Sequence, residues 1–228
     1  MSNPTSALDL VIFDCDGVLI DSERITNRVF AQMLGELGLT VSEEYMAEQF
    51  FGRSAAESVR RAEQLLGRPL PPGFEEHYGE RSRAVLAREV TLMPGVAEML
   101  AALDLPCAVA SNGLRVKMEI TLRATGLLPR FEGRWFCIDD VAQGKPAPDL
   151  YLLAARTFAA RPAHCVVVED SPTGIAAGRA AGMTVIGYAA HTPAERLLAA
   201  GAQYVFDDMA HLPALLDALG RDRAQRTA

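Results

Sequence analysis

The chain has 228 residues, half of them hydrophobic and 22% charged, enough to bury a core without disulfide or metal staples and too apolar for a disordered protein. Its 29 acidic and 22 basic residues leave a net charge of -7, which excludes binding of nucleic acid or anionic membrane by a broad basic surface. An anionic ligand then requires a local cationic pocket or a metal ion.

The first apolar run, residues 8–13, is short and nearly continuous, as in a strand covered on both faces. Residues 22 to about 90 then show helical periodicity over 22–37, 42–49, 54–66 and 74–87, punctuated by Gly38, Gly52, Gly67 and the Pro-rich stretch 69–73. Ser54 and Glu57 have capping-box spacing, so a helix is expected to begin there. Strands are predicted next over 106–110, 164–168, 184–188 and 203–206. Helices are predicted over 96–103, 115–124, 149–160, 174–181, 194–200 and 212–219. Trp135 and Phe136 read as part of a core strand, and the polar tail 221–228 is expected to fray. The pattern predicts an α/β fold, a doubly wound parallel sheet of residues 1–20 and 92–228 with an all-helical insert over 21–91.

Four cysteines lie far apart with no metal-ligand spacing, and three sit in or beside apolar runs, as small core residues do. The N-terminus has no basic segment leading into an apolar stretch, and no apolar run approaches membrane-spanning length. A cytoplasmic location is expected.

Three strands run into polar groups: Asp14-Cys15-Asp16-Gly17, Ser111-Asn112-Gly113 and Glu169-Asp170-Ser171. In a parallel sheet the carboxyl ends of all strands share one edge, so these groups converge although they span the chain. Four carboxylates there repel one another unless a cation sits among them, and hard oxygen donors favour Mg2+. A carboxylate pair permits a division of labour, one attacking phosphorus and the other protonating the leaving oxygen and then activating water. Lys145, one of only two lysines, lies in a turn-rich loop where its charge can neutralise the nucleophile and a phosphoryl oxygen. Ser111 and the N–H groups of its turn can hold the remaining oxygens. Each segment alone reads equally as a solvated turn or a helix start; their joint occurrence carries the inference. His77, His164, His191 and His211 read as structural or surface residues.

Asp14-Cys15-Asp16-Gly17-Val18-Leu19, Ser111-Asn112-Gly113, the 144–149 segment around Lys145 and the 169–174 segment resemble the four motifs of the haloacid dehalogenase superfamily. The resemblance is nearest the branch of β-phosphoglucomutases and small sugar-phosphate phosphatases. It implies a Rossmann-like core with a helical cap, Mg2+, Asp14 as nucleophile and Asp16 as acid/base. It further implies metal ligation by the Asp14 side chain, the Asp16 carbonyl and Asp170, with Glu169 ligating or supporting. Ser111, Asn112 and Lys145 would bind the phosphoryl group, and cap hinges are expected near 20–22 and 92–95.

The presence of Asp16 favours phosphoryl chemistry over dehalogenation. Thr26 stands where the mutases carry a histidine, and the loop around Gly52 lacks both mutase cations, so a phosphatase is the better reading. Gly52 and Arg53 in that loop are candidate substrate contacts, with Arg115 and Lys117 weaker ones; Arg53 and Arg115 together would suit a phosphorylated sugar acid. The expectation is a Mg2+-dependent phosphatase of a small phosphorylated metabolite, acting through an aspartyl-phosphate, without nucleic-acid or membrane partners. A monomer is expected, with a dimer left open. The alternatives are a phosphosugar mutase and, more remotely, a phospho-receiver domain, against which motif order and the helical insert argue.

Overall fold

A computed structural model describes residues 8–50 and 55–227. Strand β1 (Leu10–Phe13) leads through a two-residue strand β2 (Ile20–Asp21) into four helices: α1 (Glu23–Glu36), α2 (Glu43–Phe50), α3 (Ala55–Leu66) and α4 (Phe74–Glu89). The chain returns on β3 (Thr91–Leu92), antiparallel to β2, with Ile20 opposite Leu92 and Asp21 opposite Thr91. This ribbon was not expected: two residues are too few to show a period. It places the outgoing and incoming chains side by side.

The rest alternates helix and strand: α5 (Val96–Ala102), β4 (Cys107–Ala110), α6 (Arg115–Ala124), β5 (Trp135–Phe136), α7 (Asp149–Thr157), β6 (Cys165–Glu169), α8 (Pro172–Ala180), β7 (Thr184–Tyr188), α9 (Ala194–Ala199), β8 (Tyr204–Phe206) and α10 (Leu212–Thr227). Six strands form one parallel sheet in the order β5-β4-β1-β6-β7-β8. Every residue of β1, β4, β6 and β7 is buried, as their continuous apolarity predicts. Alternate residues feed two layers. Val11, Phe13, Val109 and Val168 pack with α5, α6 and α10, while Leu10, Ile12, Ala108 and Val167 pack with α7, α8 and α9.

The inserted helices have an apolar core of their own, in which Phe30 makes ring contacts with Phe50, Phe74 and Tyr78 at 5.5, 5.7 and 5.2 Å. The fold is therefore a Rossmann-like α/β core carrying a helical cap. All four cysteines are buried and unpaired. Against the expectation of a frayed tail, α10 runs on from 219 to Thr227, because Arg223 donates to the Ala163 carbonyl and to Thr184 Oγ1 across the protein. Among the described residues, no helix is long and apolar enough to cross a membrane.

Candidate active site

Register explains how residues far apart in sequence meet. Phe13 pairs with Val109 on one side and Val168 on the other, so the residues just beyond these positions share the carboxyl edge of the sheet. The chain winds one way from β1 through β4 to β5 and the other way through β6 to β8, making β1 the switch point where an open α/β sheet leaves a crevice.

Asp14, at the end of β1, is 8% exposed; Glu169 and Asp170, at the end of β6, are 0% and 7% exposed. Each offers an oxygen, and all three oxygens lie within 4.8 Å of one another. Lys145 reaches into this cluster, its Nζ 2.5 Å from Asp14 Oδ1 and 2.6 Å from Glu169 Oε1. Burial would lower the lysine's pKa, but the charges of Asp14 and Glu169 outweigh it and hold the ammonium well above its ordinary range. One ammonium does not offset three carboxylates. Burial, opposed by Lys145 and reinforced by Glu169, pushes the Asp14 carboxyl up to about 7. Burial together with Glu169, Asp14 and Glu23 pushes Asp170 well above the usual carboxylate range. An under-compensated cluster of hard oxygen donors is the chemistry of a divalent-cation site.

Glu169 is saturated by neighbours. Lys145 and the Tyr151 hydroxyl donate to Oε1, the latter at 2.8 Å, while the Ser171 N–H and hydroxyl donate to Oε2 at 3.1 and 2.9 Å. Ser171 also caps α8, accepting from the Gly174 N–H at 3.1 Å, so this segment is both a helix start and part of the site. Two glycines keep the cluster compact. A Cβ on Gly174 would lie 1.7 Å from Glu169 Oε1, and one on Gly17, whose φ is +79°, would lie 2.1 Å from Asp170 Oδ2.

Asp16 belongs to a second constellation. Its Oδ1 accepts from the Ser22 hydroxyl and lies 2.8 Å from Lys117 Nζ. Burial raises its pKa, yet the Lys117 charge and hydrogen bond and the Ser22 hydroxyl prevail and leave it below the ordinary value.

Beyond β4, the buried Ser111 hydroxyl accepts from the Gly113 N–H at 3.0 Å. Asn112 is bonded to the Lys145 loop: its Nδ2 donates to the Lys145 carbonyl at 3.0 Å, and the Lys145 N–H donates to its Oδ1 at 2.8 Å. The structure thus brings Asp14, Glu169 and Asp170 into one cluster, with Lys145 in direct contact with Asp14 and Glu169 and Asn112 clamping the lysine's loop.

Arg115 is engaged elsewhere, paired with Asp140 and lying 4.9 Å over the Trp135 ring. Gly52, Arg53 and Ser54 fall outside the described residues. Sequence reasoning missed Tyr151 and Ser22, and it ranked Lys117 too low. Tyr151 had a weak signal, as the hydroxyl-bearing residue on the buried apolar face of α7. Ser22 had none beyond a helix-start position.

A family model described as a haloacid dehalogenase-like hydrolase matches residues 8–182. The chain is 30% identical to the 6-phosphogluconate phosphatase of Escherichia coli, over 95% of this chain and 98% of that one. It is 32% identical to hexitol phosphatase A of Escherichia coli, over 81% and 83%. Among solved structures, a HAD family hydrolase from Deinococcus radiodurans with bound phosphate and sodium is 35% identical, covers 95% of this chain and 98% of its own, and superposes with a TM-score of 0.80. With its motif residues gathered at one sheet edge and a matching family model across most of its length, the chain belongs to the haloacid dehalogenase-like hydrolases.

Proposed function

We propose that this hydrolase is a Mg2+-dependent phosphatase that acts on a small phosphorylated sugar or sugar acid through an aspartyl-phosphate on Asp14. The observation that carries the reading is the buried cluster of Asp14, Glu169 and Asp170 around the Lys145 ammonium. The relatives named for phosphogluconate and hexitol substrates support the substrate class.

Asp14, Asp170 and the Asp16 carbonyl would hold Mg2+; when bound, the ion supplies positive charge that offsets the phosphoryl oxygens. Glu169, with both oxygens engaged, supports Lys145 and the start of α8 rather than ligating. Ser111, Lys145 and the turn N–H groups receive phosphoryl oxygens, and Asn112 acts by holding Lys145 in place. An Asp14 oxygen attacks phosphorus as the bond to the leaving oxygen breaks, and Asp16 gives that oxygen its proton. Asp16 then takes a proton from water, whose oxygen attacks phosphorus and expels Asp14. Lys117 and Ser22 favour the ionised Asp16 that the second step needs.

Residues 21–91 act as the cap over a core of 1–20 and 92–228, with the β2–β3 ribbon as hinge and Gly52 and Arg53 as candidate contacts to substrate hydroxyls. The mutase alternative is disfavoured at Thr26, whose hydroxyl donates within its own helix to the Ser22 and Glu23 carbonyls at 3.2 and 3.1 Å. Phosphate release across a panel of sugar phosphates, with and without Mg2+ and with product analysis, tests the proposal. Isomerised sugar phosphate without net release of phosphate would overturn it.

A further inference from the structure

The inserted helices enclose a cavity of about 280 Å3, below the usual range for drug-sized ligands and suited to a small metabolite. One stripe of α1 lines it: Glu23, Thr26, Asn27 and Phe30, at the i, i+3, i+4 and i+7 spacing of a single helix face. Phe74, Glu75 and Tyr78 of α4 also line it. One lining residue, Glu23, links the cavity to the reacting groups. Glu23 directly follows Ser22, which holds Asp16, and its charge is felt at both Asp16 and Asp170. Tyr78 stands within electrostatic reach of Asp16 and Lys117. An ester whose phosphoryl group rests at Asp14 would extend its leaving group this way.

The lining has a definite chemistry. The half-buried Tyr78 ring suits the C–H face of a sugar chain, while Thr26, Asn27 and Ser58 supply neutral hydrogen-bonding groups. The formal charges on the described lining are two carboxylates, Glu23 and Glu75, with no lysine, arginine or histidine. Lys117, the cation on the core side, is already tied to Asp16 at 2.8 Å. Burial pushes the Glu23 carboxyl above its ordinary range, with His191 opposing. A second anion beside it would add repulsion or force a proton onto one of the two.

We infer that this cavity receives an uncharged, polyhydroxylated leaving group and discriminates against a sugar acid. The inference rests on the phosphatase reading and narrows it. Carboxylates accept hydrogen bonds from hydroxyl groups but repel a substrate carboxylate, which gives specificity by rejection as well as by attraction.

Glucitol 6-phosphate and 6-phosphogluconate make a matched pair, differing at the far carbon by a hydroxymethyl group against a carboxylate. The expected kcat/KM for the alcohol exceeds that for the acid by roughly tenfold or more, the scale of a like-charge contact within a few ångströms. Glu23→Gln and Glu75→Gln should narrow that ratio. The ratio is the readout because a partial folding defect lowers both esters alike. An ester that is not turned over is compared by its inhibition constant against p-nitrophenyl phosphate.

Equal or better use of the acid overturns the inference. So does a ratio unchanged in both variants, or failure of both esters to compete. No Mg2+-dependent phosphate release from any ester sinks the phosphatase reading itself. Turnover of p-nitrophenyl phosphate with the acid preferred sinks only the substrate class.

Discussion

The side-chain amide of Asn112 and the backbone of Lys145 exchange two hydrogen bonds, at 3.0 and 2.8 Å, across 33 residues of sequence. The lysine that meets Asp14 is therefore positioned by a residue of another strand end. Asn112→Ala removes both bonds and frees the loop while leaving the ammonium itself in place. Activity should fall roughly ten- to a hundredfold, the usual cost of losing an orienting partner. The fall should appear mainly in kcat, and circular dichroism should show an intact fold. An unimpaired variant would place Asn112 outside the machinery.

Asp14 and Asp16 carry separable duties, and their substitutions should fail differently. Asp14→Asn is expected to abolish both phosphate release and covalent phosphorylation, because an amide does not attack phosphorus. Asp16→Asn should slow turnover by roughly 10²–10⁴-fold, the scale of general acid–base catalysis, while leaving metal binding largely intact. Isothermal titration with Mg2+ and phosphate-release assays on the two variants check this. Substantial hydrolysis by Asp14→Asn would sink the mechanism.

The buried carboxylates also set a pH dependence of stability. Asp14 ionises near 3.8 when unfolded but near 7 in the folded, metal-free protein. Between those values the folded state keeps a proton that the unfolded chain has lost, so stability falls as pH rises from about 4 to about 7 and then levels off. Asp170, raised for the same reason, acts in the same direction. With a chelator present, Tm should drop across that window by about 2–4 °C per kcal/mol of penalty, and Mg2+ should reverse the drop at pH 7. A flat Tm profile in chelator, unmoved by Mg2+, would remove this account of the cluster.

A stabilising substitution is available far from the site. Ala159, just past the end of α7, has a φ of +51°, a left-handed conformation that brings its Cβ against the following carbonyl. The turn is an ordinary helix stop, with the Ala160 N–H donating to the Ala155 carbonyl at 2.9 Å. Ala159→Gly removes the Cβ but adds freedom to the unfolded chain, for a net gain of about 0.5–1 kcal/mol. Thermal unfolding should show a rise of about 2 °C with activity unchanged; a lower Tm would contradict the strain argument.

The residues that could be read from sequence lie where a continuous apolar strand gives way to a polar turn. Asp14, Ser111 and Glu169 stand at that boundary, and a parallel sheet leaves them no choice but one edge. Tyr151 and Ser22 announce nothing locally, because each acquires its partner only when another element packs beside it. The duty of Asn112 was hidden for a related reason: sequence shows an amide near a phosphate turn, not the loop that it grips. Residues 221–227 looked unstructured because the apolar period ends before them, whereas Arg223 holds the helix through polar contacts that hydropathy does not register.

The four buried thiols have a practical consequence. Cys15, flanked in sequence by Asp14 and Asp16, is held far from its thiolate form by burial and by the charges of those two aspartates. Cys107, Cys137 and Cys165 are shifted the same way, burial being the largest cause in each. Alkylating reagents and mild oxidants attack the thiolate, so the native protein should be nearly inert to them. A single cysteine introduced on the outer surface of α4 would accept a fluorophore against a silent background, and the proposed opening and closing of the cap could be tested without first removing any native thiol.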